Sequence, residues 1–251
     1  LKSFDEFSQL GLLQILNLSI DLDRDALSNT SWCFLNFKPI AFFLSPYKRL
    51  SPVNPRATKF NMNFSLRALP WNPRTAILVS KTVHCLSDLL TRSRYGDLGL
   101  DVAAVVSNHN DSRELVEAFG YRYEHIPVEE GKRAEQEQTV SNLLTSLNVE
   151  LVVLARYMLV LPPWFAQQWK GKMINIHHSF LPAFIGANPY RQAHDRGVKI
   201  IGATSHYVTP ELDAGPIIKQ EVTHISHKDT VGDLIRKGRD LEKIVLSKAV
   251  S

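Results

Sequence analysis

Three side chains carry most of the chemistry this sequence offers. In MINIHHSFLPAFIGANPY, residues 173–190, an apolar run ends in Asn175, His177 and His178, then turns at once through Leu181 and Pro182. An extended chain alternates its faces, so Asn175 and His177 share one side while Ile174 and Ile176 take the other. An asparagine amide can hold a carbonyl oxygen, and an imidazole moves protons near neutral pH. The third component lies in VTPELDAGPII, residues 208–218, where Asp213 precedes Ala214, Gly215 and Pro216. A carboxylate on such a turn can orient an imidazole or a water. Each residue also has a plainer reading. A strand-end histidine can be structural, and an aspartate before a glycine can be a turn former. Spacing alone leaves both readings open.

The elements that must position these groups follow from the apolar pattern. Short apolar runs recur in TAILVS (75–80), DVAAVVS (101–107), YEHIPV (123–128), ELVVLA (150–155), MINIHH (173–178), KIIGATSHYV (199–208) and PIIKQEV (216–222). Helical patterns lie between the earlier ones: CLSDLLTRSRYG (85–96), DSRELVEAFG (111–120) and VEEGKRAEQEQTVSNLLTSLN (128–148). In the second of these, Asp111 is the expected N-cap and Gly120 the expected stop. DTVGDLIRKGRDLEKIVLSKAV (229–250) closes the chain as an amphipathic helix. Strand–helix alternation with near-continuous apolar strands predicts an α/β fold, a mostly parallel sheet with helices on both faces. The last two strands follow closely enough to pair antiparallel. In such sheets ligands bind outside the carboxyl ends of the strands, where residues 173–178 finish. Residues 1–70 have scattered apolar patches and poor periodicity, which predicts a small irregular α+β region. Pro70, Trp71, Asn72 and Pro73 form the linker to a second domain over 74–251.

Composition narrows the classes. The chain has 251 residues, 44% hydrophobic and 22% charged, the balance of an ordinary globular protein. A net charge of +4 tolerates an acidic small molecule, but the basic residues are interleaved with acids and predict no nucleic-acid partner. No apolar run approaches the roughly 20 residues of a membrane span. The two cysteines, Cys33 and Cys85, have no metal-ligand spacing and suit a reducing compartment.

INIHHSFLPAFIGANPYRQAHDRGVKIIGATSHYVTPELDAGPIIKQEV, residues 174–222, resembles the formyl-transferase fold family of folate enzymes, on its deformylase branch. The likeness continues in SKTVHCLSDLL (80–90), VVSNH (105–109), LVVLARYMLVL (151–161) and ISHKDTVGDLIRKGRDLEK (225–243). It implies a Rossmann-like formyltransferase domain with Asn175, His177 and Asp213 as catalytic residues. The implied reaction is hydrolysis of 10-formyltetrahydrofolate to tetrahydrofolate and formate, in one-carbon metabolism and formate supply to purine synthesis. No prosthetic group and no metal are implied. Asn175 and His177 are expected at the formyl oxygen, with Asp213 holding water and tuning His177. The folate cleft is expected to use Arg156, Tyr157, Met158 and Leu159, with Glu211 and Leu212 as the opposite lip. His178, Ser179 and Gly186 are expected to shape the turn after the catalytic strand.

The alternative within the family is a glycinamide ribonucleotide formyltransferase. There a loop of the type GNGSNL lets backbone N–H groups cradle a phosphate at a helix N-terminus. Here VSKTVHCLSDLL, residues 79–90, is bulky and β-branched, which favours water as acceptor, although Lys81 offers a point charge to a phosphate. A non-catalytic folate-binding remnant is the third reading. His84 and Cys85 are expected to pack at a helix start. Deformylases of this type carry an N-terminal regulatory ACT domain. Residues 1–70 lack its usual opening turn and are read as a degenerate ACT-like region. Ile185 and Asn188 stand where relatives often have basic residues. The chain begins at Leu1 and ends at Ser251, short of the family's usual end, as a fragment or processed product would. Cytoplasmic placement, or mitochondrial in a eukaryote, and possible homo-oligomerisation complete the expectations.

Overall fold

A computed structural model of the chain describes residues 72–183 and 188–251. The ACT-like reading of 1–70 and the roles of Ile185 and Gly186 fall outside the described residues. Seven strands form one sheet: β1 (Arg74–Val79), β2 (Asp101–Ser107), β3 (Tyr123–His125), β4 (Leu151–Leu154), β5 (Met173–His177), β6 (Ile200–Tyr207) and β7 (Ile217–His224). The helices are α1 (His84–Tyr95), α2 (Arg113–Ala118), α3 (Arg133–Ser146), α4 (Pro163–Gln168), α5 (Pro189–Asp195) and α6 (Val231–Val250).

Strand order is β3-β2-β1-β4-β5-β6-β7. Strands β1 to β5 run parallel, and β6 is antiparallel to both β5 and β7. Both faces of the parallel part are covered, which is why these strands read as unbroken apolar runs. On β1 the alternation divides two cores. Ile77 and Val79 face α1 and α6, with Leu86, Leu90, Val245 and Leu246. Ala76 and Leu78 face α3 and α4, with Val140, Leu144 and Phe165. Each of these buried leucines contributes about 2 kcal/mol of transfer free energy. The chain moves outward from β1 through β2 to β3 and returns to β4, so the strand order reverses between β1 and β4. That is where an open α/β sheet makes a crevice. Two bonds join its walls: Ser80 N donates to Arg156 O at 3.2 Å, and Met158 N donates to Ser80 Oγ at 2.9 Å.

Helix ends depart from the sequence pattern in places. Ser112, not Asp111, is the N-cap of α2, and no side chain caps that helix. The Ser112 hydroxyl is taken by Tyr123 Oη at 3.3 Å. The helix expected from residue 128 starts only at Arg133, because Gly131 sits at φ +73°, outside helical space. Gly96 ends α1 in the left-handed region, as its sequence position suggests. A capping box between Thr230 and Asp233 opens α6. Among the described residues, no helix is long and apolar enough to cross a membrane.

Candidate active site

Asn175 and His177 end β5 on one face, with Ile174 and Ile176 buried on the other, in the α1 and α6 core. The antiparallel partner adds a residue that the sequence pattern did not single out. Asn175 pairs with His206 on β6 and His177 pairs with Thr204. Directly opposed side chains share a face, so His206 is delivered to the site by register. Its Nε2 lies 3.3 Å from Asn175 Nδ2, and its Nδ1 donates to Tyr207 O at 2.9 Å. With Nδ1 committed to the Tyr207 carbonyl, Nε2 is the nitrogen that the ring turns toward the Asn175 amide. The local signal was present: Thr204 and His206 repeat the two-residue spacing of Asn175 and His177. What identifies their shared face is the pairing of β6 with β5, a non-local fact.

Asp213 reaches the pair by an indirect path. Because β6 runs against β5, Tyr207 at its end sits opposite Ile174, about 10 Å short of His177 along the strand. The connection to β7 must therefore fold back along the face that carries Asn175 and His177. Two features make the return. Asp213 itself adopts φ 55°, a left-handed conformation that aspartate tolerates better than most side chains. Gly215 packs so closely that a β-carbon there would lie 1.7 Å from the Tyr207 carbonyl oxygen. Just beyond it, Tyr207 N donates to Pro216 O at 2.9 Å.

The returned carboxylate spans two rings. Asp213 Oδ2 lies 3.3 Å from His177 Nδ1, and Oδ1 lies 3.5 Å from His206 Nε2. His177 and then His206 hold the Asp213 carboxyl far below the ordinary carboxylate range, against the opposing effect of burial. With Nδ1–H donated to Asp213, the neutral His177 ring presents an unprotonated Nε2. That nitrogen is buried and has no hydrogen-bond partner among the described residues. Leaving a buried polar atom unpaired costs about 1–3 kcal/mol, so Nε2 calls for a partner that a water or a substrate group can supply.

The turn after β5 is fixed from β6. Thr204 Oγ1 donates to Ser179 O at 2.8 Å and accepts from Leu181 N at 3.1 Å. His178 lies between His177 and Tyr190, with ring centroids 5.1 and 6.1 Å away. Burial first, then the charge of Arg156, then His177, push its pKa down to about 4. An unfolded histidine titrates near 6.5, so between about pH 6.5 and 4 the unfolded chain binds a proton that the folded chain refuses. Stability therefore falls on acidification across that window, by at most about 1.4 kcal/mol per pH unit from this group. In His178→Gln, urea midpoints measured from pH 7 to pH 4.5 should fall less steeply than in the parent.

The expected substrate residues divide. Met158 is 60% exposed and Leu212 64% exposed, and Glu211 is also open. Leu159 is half-buried against the α3 and α4 core. Tyr157 is turned inward, and its hydroxyl accepts from Gln136 Nε2 at 3.2 Å. The Arg156 side chain also points inward. It is mostly buried, and its Nε lies 3.5 Å from the buried Glu242 carboxylate. Their side chains thus make contacts inside the protein, and the backbone between them, at Arg156 O and Met158 N, is bonded to Ser80. His84 and Cys85 do pack at the start of α1, as expected, with His84 Nε2 at 2.8 Å from Glu242 Oε2.

Comparison with known proteins agrees with this fold. The formyl transferase family profile matches residues 73–250. A formyltetrahydrofolate deformylase of Synechocystis sp. is 45% identical over 224 residues, which cover 89% of this chain and 77% of that protein. The Escherichia coli protein of the same name is 52% identical over 177 residues, 70% of this chain and 63% of its own length. The crystal structure of a formyltetrahydrofolate deformylase from Burkholderia mallei aligns over 99% of this chain and 89% of that one, with a TM-score of 0.77 and 36% identity. A glycinamide ribonucleotide transformylase from Symbiobacterium toebii aligns over 74% of this chain and 89% of its own, with a TM-score of 0.69 and 31% identity. Both kinds of neighbour share the sheet, and the chain belongs to the formyl transferase family, with formyltetrahydrofolate deformylases among its relatives there.

Proposed function

We propose that the chain hydrolyses 10-formyltetrahydrofolate to tetrahydrofolate and formate, through a catalytic domain spanning 74–251. The observation that carries this is the unpartnered, buried Nε2 of His177, backed by Asp213 and flanked by Asn175. In this reading a water gives its proton to His177 Nε2 as its oxygen attacks the formyl carbon. The Asn175 amide donates to the formyl oxygen as charge builds there, a contact that typically accounts for about 10²–10³-fold in rate. The His177 proton then passes to N10 as the C–N10 bond breaks. The products are tetrahydrofolate and formic acid, which gives up its remaining proton to solvent and leaves as formate. This division differs from the one drawn from sequence, which put His177 at the formyl oxygen and Asp213 on the water. Asp213 has one oxygen toward each of two histidines, which suits it to orienting rings. Exposed Met158 and Leu212 are apolar contacts for the folate, beside Leu159 and Glu211. We assign residues 1–70 to a degenerate ACT-like region, and the reaction to the cytoplasm, or to mitochondria in a eukaryote.

The deciding assay is formate release from 10-formyltetrahydrofolate with no amine present. Steady release is the expected result. Consumption of the folate only after glycinamide ribonucleotide is added would instead make the chain a transferase.

A further inference from the structure

One hydroxyl ties the carboxyl ends of three neighbouring strands. Ser80, the first residue after β1, is 2% exposed. Its Oγ donates at 2.8 Å to Oδ1 of Asn108, the first residue after β2. The same oxygen accepts at 2.9 Å from Met158 N, on the segment that leaves β4. A serine hydroxyl has one donor and two acceptor sites, so both bonds form at once. The backbone adds a third bond, from Ser80 N to Arg156 O at 3.2 Å. The three strands stand side by side in the order β2-β1-β4, across the reversal that opens the crevice.

The segment held in this way carries backbone strain. Arg156 adopts φ 65°, in the left-handed region. A long side chain enters that region at a cost and stays there only where its surroundings fix it. The two bonds from Ser80 bracket the turn, one at Arg156 itself and one two residues on. Past the turn the side chains divide. Arg156 and Tyr157 go inward, to Glu242 and Gln136. Met158 comes out to solvent, and Leu159 is half-buried. The inward side chains anchor the start of the segment, and the Ser80 hydroxyl holds it where it emerges.

Ser80 stands apart from the reacting groups. Among the described residues its hydroxyl bonds to Asn108 and Met158, and to none of Asn175, His177 and Asp213. Its influence on the reaction must pass through the placement of residues 156–159. We propose that Ser80 is a positioning residue for the folate, holding the turn at Arg156 so that Met158 and Leu159 meet the ligand in one fixed arrangement. The proposal rests on the folate reading above and names a residue that sets the affinity. A segment fixed before binding spares the ligand the entropy of ordering it. That saving is equal in the ground state and the transition state, so it enters KM and leaves kcat alone.

Ser80→Ala removes the hydroxyl and keeps the backbone bond to Arg156. Tetrahydrofolate binding to the full chain, read by calorimetry, should weaken about tenfold, the scale of one hydrogen bond. KM for 10-formyltetrahydrofolate should rise by a similar factor, with kcat within about twofold of the parent. A residue that served stability alone would lower Tm and leave affinity and KM where they were. Asn108→Ala takes away the acceptor of the hydroxyl and should weaken binding in the same direction. The double variant should bind no worse than Ser80→Ala alone, because both changes break one tie. If Ser80→Ala folds poorly, Asn108→Ala carries the test. Parental affinity in the folded variant would overturn the proposal. So would a fall in kcat with KM unchanged, or additive losses in the double variant. Formate release by the parent is scored separately. A parent that binds tetrahydrofolate but releases no formate without an amine would lose the hydrolase reading, and the affinity of Ser80→Ala would still decide the role of Ser80.

Discussion

Asp213→Asn should lower formate release by about 10⁴-fold while tetrahydrofolate binding, read by calorimetry, stays within a few-fold of the parent. The exchange keeps the shape and removes the charge. An amide can offer its N–H to His177 Nδ1, which inverts the tautomer and puts the proton on Nε2, where an acceptor is needed. Carboxylate-to-amide exchange behind a catalytic imidazole costs about that much elsewhere. The pH response follows from the direction of the shift. His177 and His206 depress the folded carboxyl, so its stabilising contribution is present above the unfolded value near 3.9 and is lost only as pH falls through the lower folded value. The acid limb of the rate profile in the parent therefore does not belong to Asp213. Near-normal turnover by Asp213→Asn would remove this carboxylate from the mechanism.

Removing the ring itself should cost as much or more. His177→Ala is expected to lose about 10³–10⁴-fold in turnover, the scale of a positioned base, and to keep a cooperative unfolding transition. Among the described residues the ring makes one polar contact, at 3.3 Å to Asp213, packs beside His178 and leaves its other nitrogen unpaired, so the fold relies on it little. The double variant His177→Ala, Asp213→Asn tests whether the two act as a unit. Groups that serve one function are not additive, so the pair should be little worse than His177→Ala alone. Multiplicative losses would show that Asp213 acts through another partner, of which His206 is the nearest.

The sheet was legible because its cause is local. Strands covered on both faces must be apolar throughout, and β1, β2 and β4 are so written. Asn175 and His177 were legible for a similar reason, since two-residue alternation decides what shares a face. Asp213 was harder to read. Its place depends on a nine-residue return along the sheet; the turn in VTPELDAGPII made it a candidate, and the likeness to known folate enzymes gave it a role. His206 stayed hidden because β5–β6 pairing joins residues 31 apart. Glu242 stayed hidden for another reason. In RDLEKIV it looks like one more charge on a solvated helix face, and only the packing of α6 against α1 shows it buried. The ion pair of Arg156 with Glu242 is hidden in the same way, since it depends on how α6 packs.

The fit of Gly215 beneath the Tyr207 carbonyl has a consequence for how relatives of this chain are recognised. Any side chain at that position would lift the aspartate away from its histidines while every acid and base stayed in the sequence. A homologue with Asn, His and Asp intact but another residue at this one place would pass a motif search and be inert. The absence of a single methyl group is thus as diagnostic of a working copy as the reactive groups themselves.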